Sequence, residues 1–266
     1  MKVVLITGAS SGFGKSIAEH LAAQGCRVFG TSRSPKEPVA GVTMLSLDVN
    51  DDLSVQTAVS DVIAQAGRID VLINNAGVGL CGAIEDTSID EARWQMETNF
   101  FGPVRMIQAV LPHMRKLGSG RIINIGSLAG QMALPYQPFY STSKFAMEGL
   151  NEALRLELCS SGIDSTIIEP GDFATGFTAA RVFSAQAKTG LHAQALERVV
   201  GIYEKDELNG ASPQMVANLC ARIIAAGKIA PRYSVGRIDQ RFGLLLKRWL
   251  PASWFEKMFR YIYQIR

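Results

Sequence analysis

No stretch of the 266-residue chain stays apolar for the 18 or more residues that a membrane-spanning helix requires. The opening MKVVLI has a lysine and a short apolar run, but it ends within six residues, short of a secretory h-region of 7–15, and reads as a buried strand. Cysteine is sparse: Cys26, Cys81, Cys159 and Cys220 stand apart with no C-x-x-C or C-x-x-H spacing. That argues against a zinc site and a secreted disulfide framework, and for reduced thiols in a cytoplasmic protein. An excess of one charge is lacking too, since 27 basic against 24 acidic residues leave +3, too little to mark a nucleic-acid binder. With 47% hydrophobic and 19% charged residues, the chain has neither a disordered nor a collagen-like composition. A core sufficient for folding needs no staple at this length.

The charge that is present is unevenly placed. Residues 228–266 hold nine Lys/Arg against Asp239 and Glu256, a tail of +7 on a body of −4. Along that body, short apolar runs at 2–7, 27–31, 42–48, 69–74, 121–125 and 164–169, with a weaker one near 229–234, alternate with helical periodicity at 14–24, 52–66, 90–117 and 141–160. Most of the runs are continuously apolar, as in strands covered on both faces. The alternation predicts an α/β fold: a doubly wound, mostly parallel seven-stranded sheet with helices on both faces, one domain over 1–236 and a helical extension over 237–266. The stretch 34–41 (SPKEPVAG) is too short and proline-rich for a crossover helix and predicts a turn or a single helical turn. About 37 residues after Gly176, to Ser212, carry no strand signal; at a strand's carboxyl end, such an excursion predicts a substrate lid.

After the first run come Thr7-Gly8-Ala9-Ser10-Ser11-Gly12-Phe13-Gly14, then a helix. Glycines let backbone approach a pyrophosphate, and the helix N-terminus adds unpaired N–H groups, so the loop predicts a dinucleotide site. Where an NAD-binding chain places a carboxylate for the ribose 2′-OH, this one reads Thr31-Ser32-Arg33, with no acid until Glu37. Arg33 would pair with a 2′-phosphate, which points to NADP rather than NAD.

Tyr140 and Lys144 stand at i, i+4 on one helix face, a cation beside a phenol whose ordinary pKa is near 10. With six tyrosines in the chain, about 0.2 such pairs arise by chance, and a solvated helix face is the bland alternative. The pair has company, however. Ser127 ends the fifth run, Asn74-Asn75-Ala76-Gly77 follows the fourth, Asn99 lies in a helical stretch, and Pro170-Gly171-Asp172-Phe173-Ala174-Thr175 follows the sixth.

With Asp48-Val49, these elements span roughly 175 residues in one order, and in that order the chain resembles the short-chain dehydrogenase/reductase family. Its long C-terminal segment is similar to that of the 17β-hydroxysteroid and retinol dehydrogenase branch. The resemblance implies an NADP(H)-dependent oxidoreductase that interconverts a carbonyl and an alcohol. It implies Tyr140 as general acid/base, Lys144 as the group that lowers its pKa and holds the nicotinamide ribose, Ser127 on the reacting oxygen and Asn99 in a proton relay. Gly8, Ser10, Ser11, Gly12, Phe13, Gly14, Arg33, Asp48, Val49, Asn75, Ala76, Gly77, Pro170, Gly171, Phe173 and Thr175 would join Tyr140 and Lys144 around the cofactor. Gly126 departs from a frequent serine, and Phe173 from a usual aliphatic residue. A homodimer or homotetramer is the implied assembly.

Apolar residues of the lid segment (Phe177, Val182, Phe183, Leu191, Tyr203) predict a lipophilic substrate such as a steroid, retinoid or acyl-type ketone, with ordinary helix packing as the alternative. In the tail, Ser253 and Glu256 predict a capping box, and Trp254, Met258, Ile262 and Ile265 a stripe beside Phe255 and Phe259. Such a helix packs on the body, closes over the substrate pocket, buries itself against a partner subunit, or makes peripheral contact with a membrane. An idle dinucleotide sensor or a membrane-docked scaffold is the rival reading; a sensor needs the glycine loop but not the acid/base set.

Overall fold

A computed structural model describes residues 1–35 and 37–265. Its main sheet contains β1 (Val3–Ile6), β2 (Arg27–Ser32), β3 (Val42–Ser46), β4 (Val71–Asn74), β6 (Gly120–Ile125), β7 (Ile163–Pro170) and β9 (Arg232–Val235), in the order β3-β2-β1-β4-β6-β7-β9. Every neighbouring pair runs parallel, so both faces must be covered by the crossover helices. In β1, Val4 and Ile6 face α1 (Gly12–Ala23) and α7 (Gln214–Ala225), meeting Ile17, Leu21, Val216 and Ile223. Val3 and Leu5 face the other layer, α2 (Asp52–Ala66), α4 (Gly102–Leu117) and α5 (Pro138–Glu157), meeting Val59, Met106, Val110 and Leu154. Burying each such side chain contributes about 1.5–3 kcal/mol, which explains the unbroken apolar runs.

The strand order reverses between β1 and β4, so their carboxyl ends diverge into a crevice, the usual ligand position in open α/β sheets. The connection from β2 to β3 carries no helix among its described residues, as its prolines predict; Lys36 lies outside them.

Three expectations need correction. The 90–117 stretch is not one α-helix: α3 (Ile89–Met96) passes through a π-turn, Glu97–Phe101, into α4. Pro103 has no N–H with which to bond the Asn99 carbonyl four residues back, so the α register cannot run through unbroken. The 176–212 segment does contain a strand, β8 (Val182–Phe183), paired in parallel with β5 (Leu80–Cys81), and a helix, α6 (Ala193–Leu208). The tail forms α8 (Ile238–Trp249) and α9 (Ala252–Ile262). Pro251 takes the N-cap of α9, so Ser253 falls inside the helix and no capping box forms. The face of α9 that packs inward is Phe255, Phe259 and Tyr263; Trp254 and Ile262 of the expected stripe are exposed.

Candidate active site

At the mouth of the crevice, the glycine loop is shaped by steric limits. Gly8 and Gly12 adopt φ of +68° and +53°, which favours glycine. A Cβ on Gly14 would lie 2.1 Å from the Gly8 carbonyl oxygen and 2.5 Å from Nδ2 of Asn75, so loop and helix meet with no room for a side chain. The Asn75 amide donates to the Thr7 and Gly8 carbonyls at 2.9 and 3.0 Å, and the Thr7 hydroxyl accepts from the N–H groups of Asn75 and Ala76 at 3.0 Å. Asn75 thus ties the loops after β1 and β4 together. No side chain caps the start of α1, leaving its first N–H groups directed at the crevice.

Of the residues expected around the cofactor and the chemistry, all but Gly14 line one cavity of about 490 Å³. The lining runs from Arg33 and Asp48, past Gly8 and Ser11, to Ser127, Tyr140 and Phe177. Arg33 is exposed, and no described carboxylate forms an ion pair with it. Asp48 already accepts from the Asn50 N–H at 2.9 Å, and Val49 packs on Gly102. Phe13 and Phe173 meet edge to face, with centroids 5.1 Å apart, forming an apolar wall. A glycine cradle that any Cβ would fill, a helix N-terminus and an unpaired arginine together fit a dinucleotide.

The chemical end is built at the carboxyl end of β6. Ser127, with extended backbone, accepts from the Ala129 N–H at 3.0 Å. Tyr140, in the first turn of α5, lines the same cavity as Ser127, whose hydroxyl acts on the phenol. Loss of hydration pushes the Tyr140 phenol up to about 12; the Ser127 hydroxyl opposes this, while Glu207 and Asp172 reinforce it. Lys144, one turn later, is itself held down at about 8 by burial. Its Nζ donates to the Ile125 carbonyl at 2.9 Å and lies 5.7 Å from the centre of the Tyr140 ring. Burial is the largest influence on the phenol, and Lys144 is not among the charges that shift it here. Asn99 sits in the π-turn, where its side-chain oxygen accepts from the Val78 N–H at 2.8 Å and its amide donates to the Val78 carbonyl at 3.0 Å and to Ser143 at 3.2 Å. At Gly126 a Cβ would come within 2.8 Å of Ile167, which fills the space that a second serine would need.

Sequence reasoning missed an acidic wall. Asp172 and Glu207 line the cavity, and burial with the nearby Glu207 and Asp206 charges raises Asp172 to about 6. Gln240 on α8 grips Asp172, and the buried Arg181 pairs with Glu207. Asp172 lies inside the recognised P-G-x-x-x-T motif, whereas Glu207 is a polar residue of an ordinary amphipathic helix and carries no pattern. Phe177 leans on Tyr140, centroids 5.8 Å apart. Among the described residues no cluster of His, Cys, Asp or Glu could hold a metal, and no helix is long and apolar enough to cross a membrane.

Comparison with known proteins agrees with this geometry. The family model for short chain dehydrogenases matches residues 2–185. The chain belongs to the short-chain dehydrogenase family. It is 46% identical over 266 residues to the 3-ketodihydrosphingosine reductase of Bacteroides thetaiotaomicron, covering 100% of this chain and 99% of that one. It is 41% identical over 191 residues to human 17-beta-hydroxysteroid dehydrogenase type 1, covering 66% of this chain and 58% of that one. Among solved structures, a short-chain dehydrogenase from Streptomyces avermitilis superposes with a TM-score of 0.79 at 34% identity, covering 98% and 99%. As a short-chain dehydrogenase the protein is an oxidoreductase, and its parallel sheet is the family's Rossmann-like sheet.

Proposed function

We propose that the protein is an NADPH-dependent reductase of a lipophilic ketone, and that its substrate is a long-chain amino ketone of the 3-ketodihydrosphingosine type. The observation that carries the reaction is the Ser127–Tyr140 hydroxyl pair, with Lys144 behind it, inside a cavity that also holds the glycine loop. A carbonyl oxygen between the two hydroxyls would receive two hydrogen bonds as negative charge develops on it. A phenol at about 12 is fully protonated at neutral pH, and so can hand its proton to that oxygen. The nicotinamide, when bound, supplies the hydride to the carbon. Lys144 positions the ribose and helps return a proton to Tyr140, with the Asn99 carbonyl, which Pro103 cannot engage, in the relay. Arg33 supports the choice of NADPH, since a 2′-phosphate would give it the anion it lacks.

The substrate class rests on two supports: likeness to the Bacteroides enzyme over the whole chain, and the acidic wall. An α-amino ketone carries an ammonium group close to the reacting carbon, and Asp172 and Glu207 lie on that side of the cavity, where both act on the Tyr140 phenol. A steroid ketone offers no such cation. Phe177, Val182 and Tyr203 of the lid segment give the rest of the chamber an apolar surface for an alkyl chain. The test follows NADPH absorbance with a long-chain amino ketone, its deaminated counterpart, a steroid ketone, a retinoid aldehyde and an acyl ketone. The expected result is a kcat/KM at least roughly tenfold higher for the amino ketone than for its deaminated form. Equal rates would remove the amine from the reading, and no turnover with any carbonyl would leave the dinucleotide sensor.

A further inference from the structure

Helix α8 is amphipathic in the opposite sense to the helices of the core. Ile238, Phe242, Leu245 and Trp249 recur at i, i+4, i+7 and i+11 and so form one stripe, yet they are 83%, 55%, 53% and 80% exposed. The opposite face holds the helix to the body through polar and small groups. Gln240 bonds Asp172, Gly243 faces Met132, and Lys247 donates to the Gln131 carbonyl and covers the Phe145 ring. Arg241 and Arg248 flank the apolar stripe. Helix α9 divides its apolar residues between two faces: Phe255 and Phe259 pack inward, while Trp254, Tyr261 and Ile262 face out with Lys257 and Arg260 exposed. From Arg237 to Tyr263, six basic residues against two acidic leave four net positive charges beside this apolar surface.

We propose that α8 and α9 form a docking platform for an anionic phospholipid membrane surface, into which the Ile238–Phe242–Leu245–Trp249 stripe inserts. Charge complementarity selects this occupant. Pairing the face with a second copy of itself would set positive against positive, whereas an anionic bilayer neutralises the arginines and lysines. Two tryptophans and a tyrosine on the exposed face suit the boundary between headgroups and acyl chains. A second cavity between α9 and residues 133–135 is lined by Leu134, Phe259 and Ile265, and Leu134 lines the main cavity too. The docking claim stands apart from the substrate reading, because binding is measured without substrate.

The experiment uses the full chain and vesicles of phosphatidylcholine with and without phosphatidylglycerol, reading co-flotation and the blue shift of tryptophan fluorescence. The protein should float with the anionic vesicles, and added salt should release it. Phe242→Ser with Leu245→Ser should lower partitioning at least roughly tenfold, and Arg241→Glu with Arg248→Glu should remove the preference for the anionic lipid. Both double variants should keep the thermal midpoint and NADPH affinity of the parent, which shows that they fold. Failure of the folded parent to float with anionic vesicles, or unchanged flotation of the Ser variants, overturns the proposal. Sedimentation showing a dimer that the Ser variants split overturns it too, assigning the face to a second copy.

Discussion

Tyr140 shows what a single side chain owes to its surroundings. Its phenol is raised by burial, steadied by Ser127 and set against a lysine whose ammonium is spent on a backbone carbonyl. Replacing Tyr140 with Phe removes the proton but keeps the ring that meets Phe177, so kcat should fall by about 10²- to 10⁴-fold. NADPH affinity, measured by fluorescence titration, should stay within about twofold, since the ring still packs. Arg33 answers a different question. Arg33→Asp puts a carboxylate where a 2′-phosphate would lie, and the ratio of kcat/KM for NADPH over NADH should drop at least roughly tenfold. An unchanged ratio would mean that the extra phosphate is read elsewhere. Both residues were legible in the sequence, one through its partner four positions on and the other through an acid missing at a strand end. Glu207 was not, because only the fold brings α6 over the cavity.

At the scale of elements, the glycine loop and α1 behave as one rigid part. Gly14→Ala would drive a methyl group into the Gly8 carbonyl and the Asn75 amide, both of which join β1 to β4. The loop must shift, so NADPH binding should weaken at least roughly tenfold and unfolding free energy should fall by about 1–3 kcal/mol, read by titration and urea denaturation. Strands buried on both faces were easy to read, since nothing but an unbroken apolar run satisfies them. The β5–β8 pair was not, because two residues per strand carry no period. The π-turn left one trace, Pro103, which cannot bond the carbonyl of Asn99. Helix α8 teaches the converse: its periodicity shows that apolar residues share a face, but only the contacts of Gln240 and Lys247 reveal that the face points outward.

For the whole molecule, the buried carboxylates behind the active site set a dependence on pH. Glu148 of α5 is raised to about 8, chiefly by burial and by Glu169 of β7, while Arg232 opposes the shift. Glu169 in turn bonds Ser234 at 2.6 Å and Gln131. The folded chain therefore holds a proton that the unfolded chain releases near pH 4.5. The stability it contributes is complete below that pH and is lost as pH rises through about 8. Asp172, raised to about 6, acts in the same direction at lower pH. The thermal midpoint of the native chain should fall more steeply between pH 5 and pH 8 than that of Glu148→Gln, whose amide has no proton to lose. Parallel slopes in the two proteins would remove Glu148 as the source.

The cavity is assembled from chain segments that leave the ribosome at very different times. Its glycine-loop end is built by the first strands and their loops, but its far wall is held by Gln240 on Asp172, by Arg237 beside Asp206 and by Tyr263 against Tyr203. During synthesis the glycine loop thus emerges well before the residues that give the reaction chamber its last side. That last side arrives with α8 and α9.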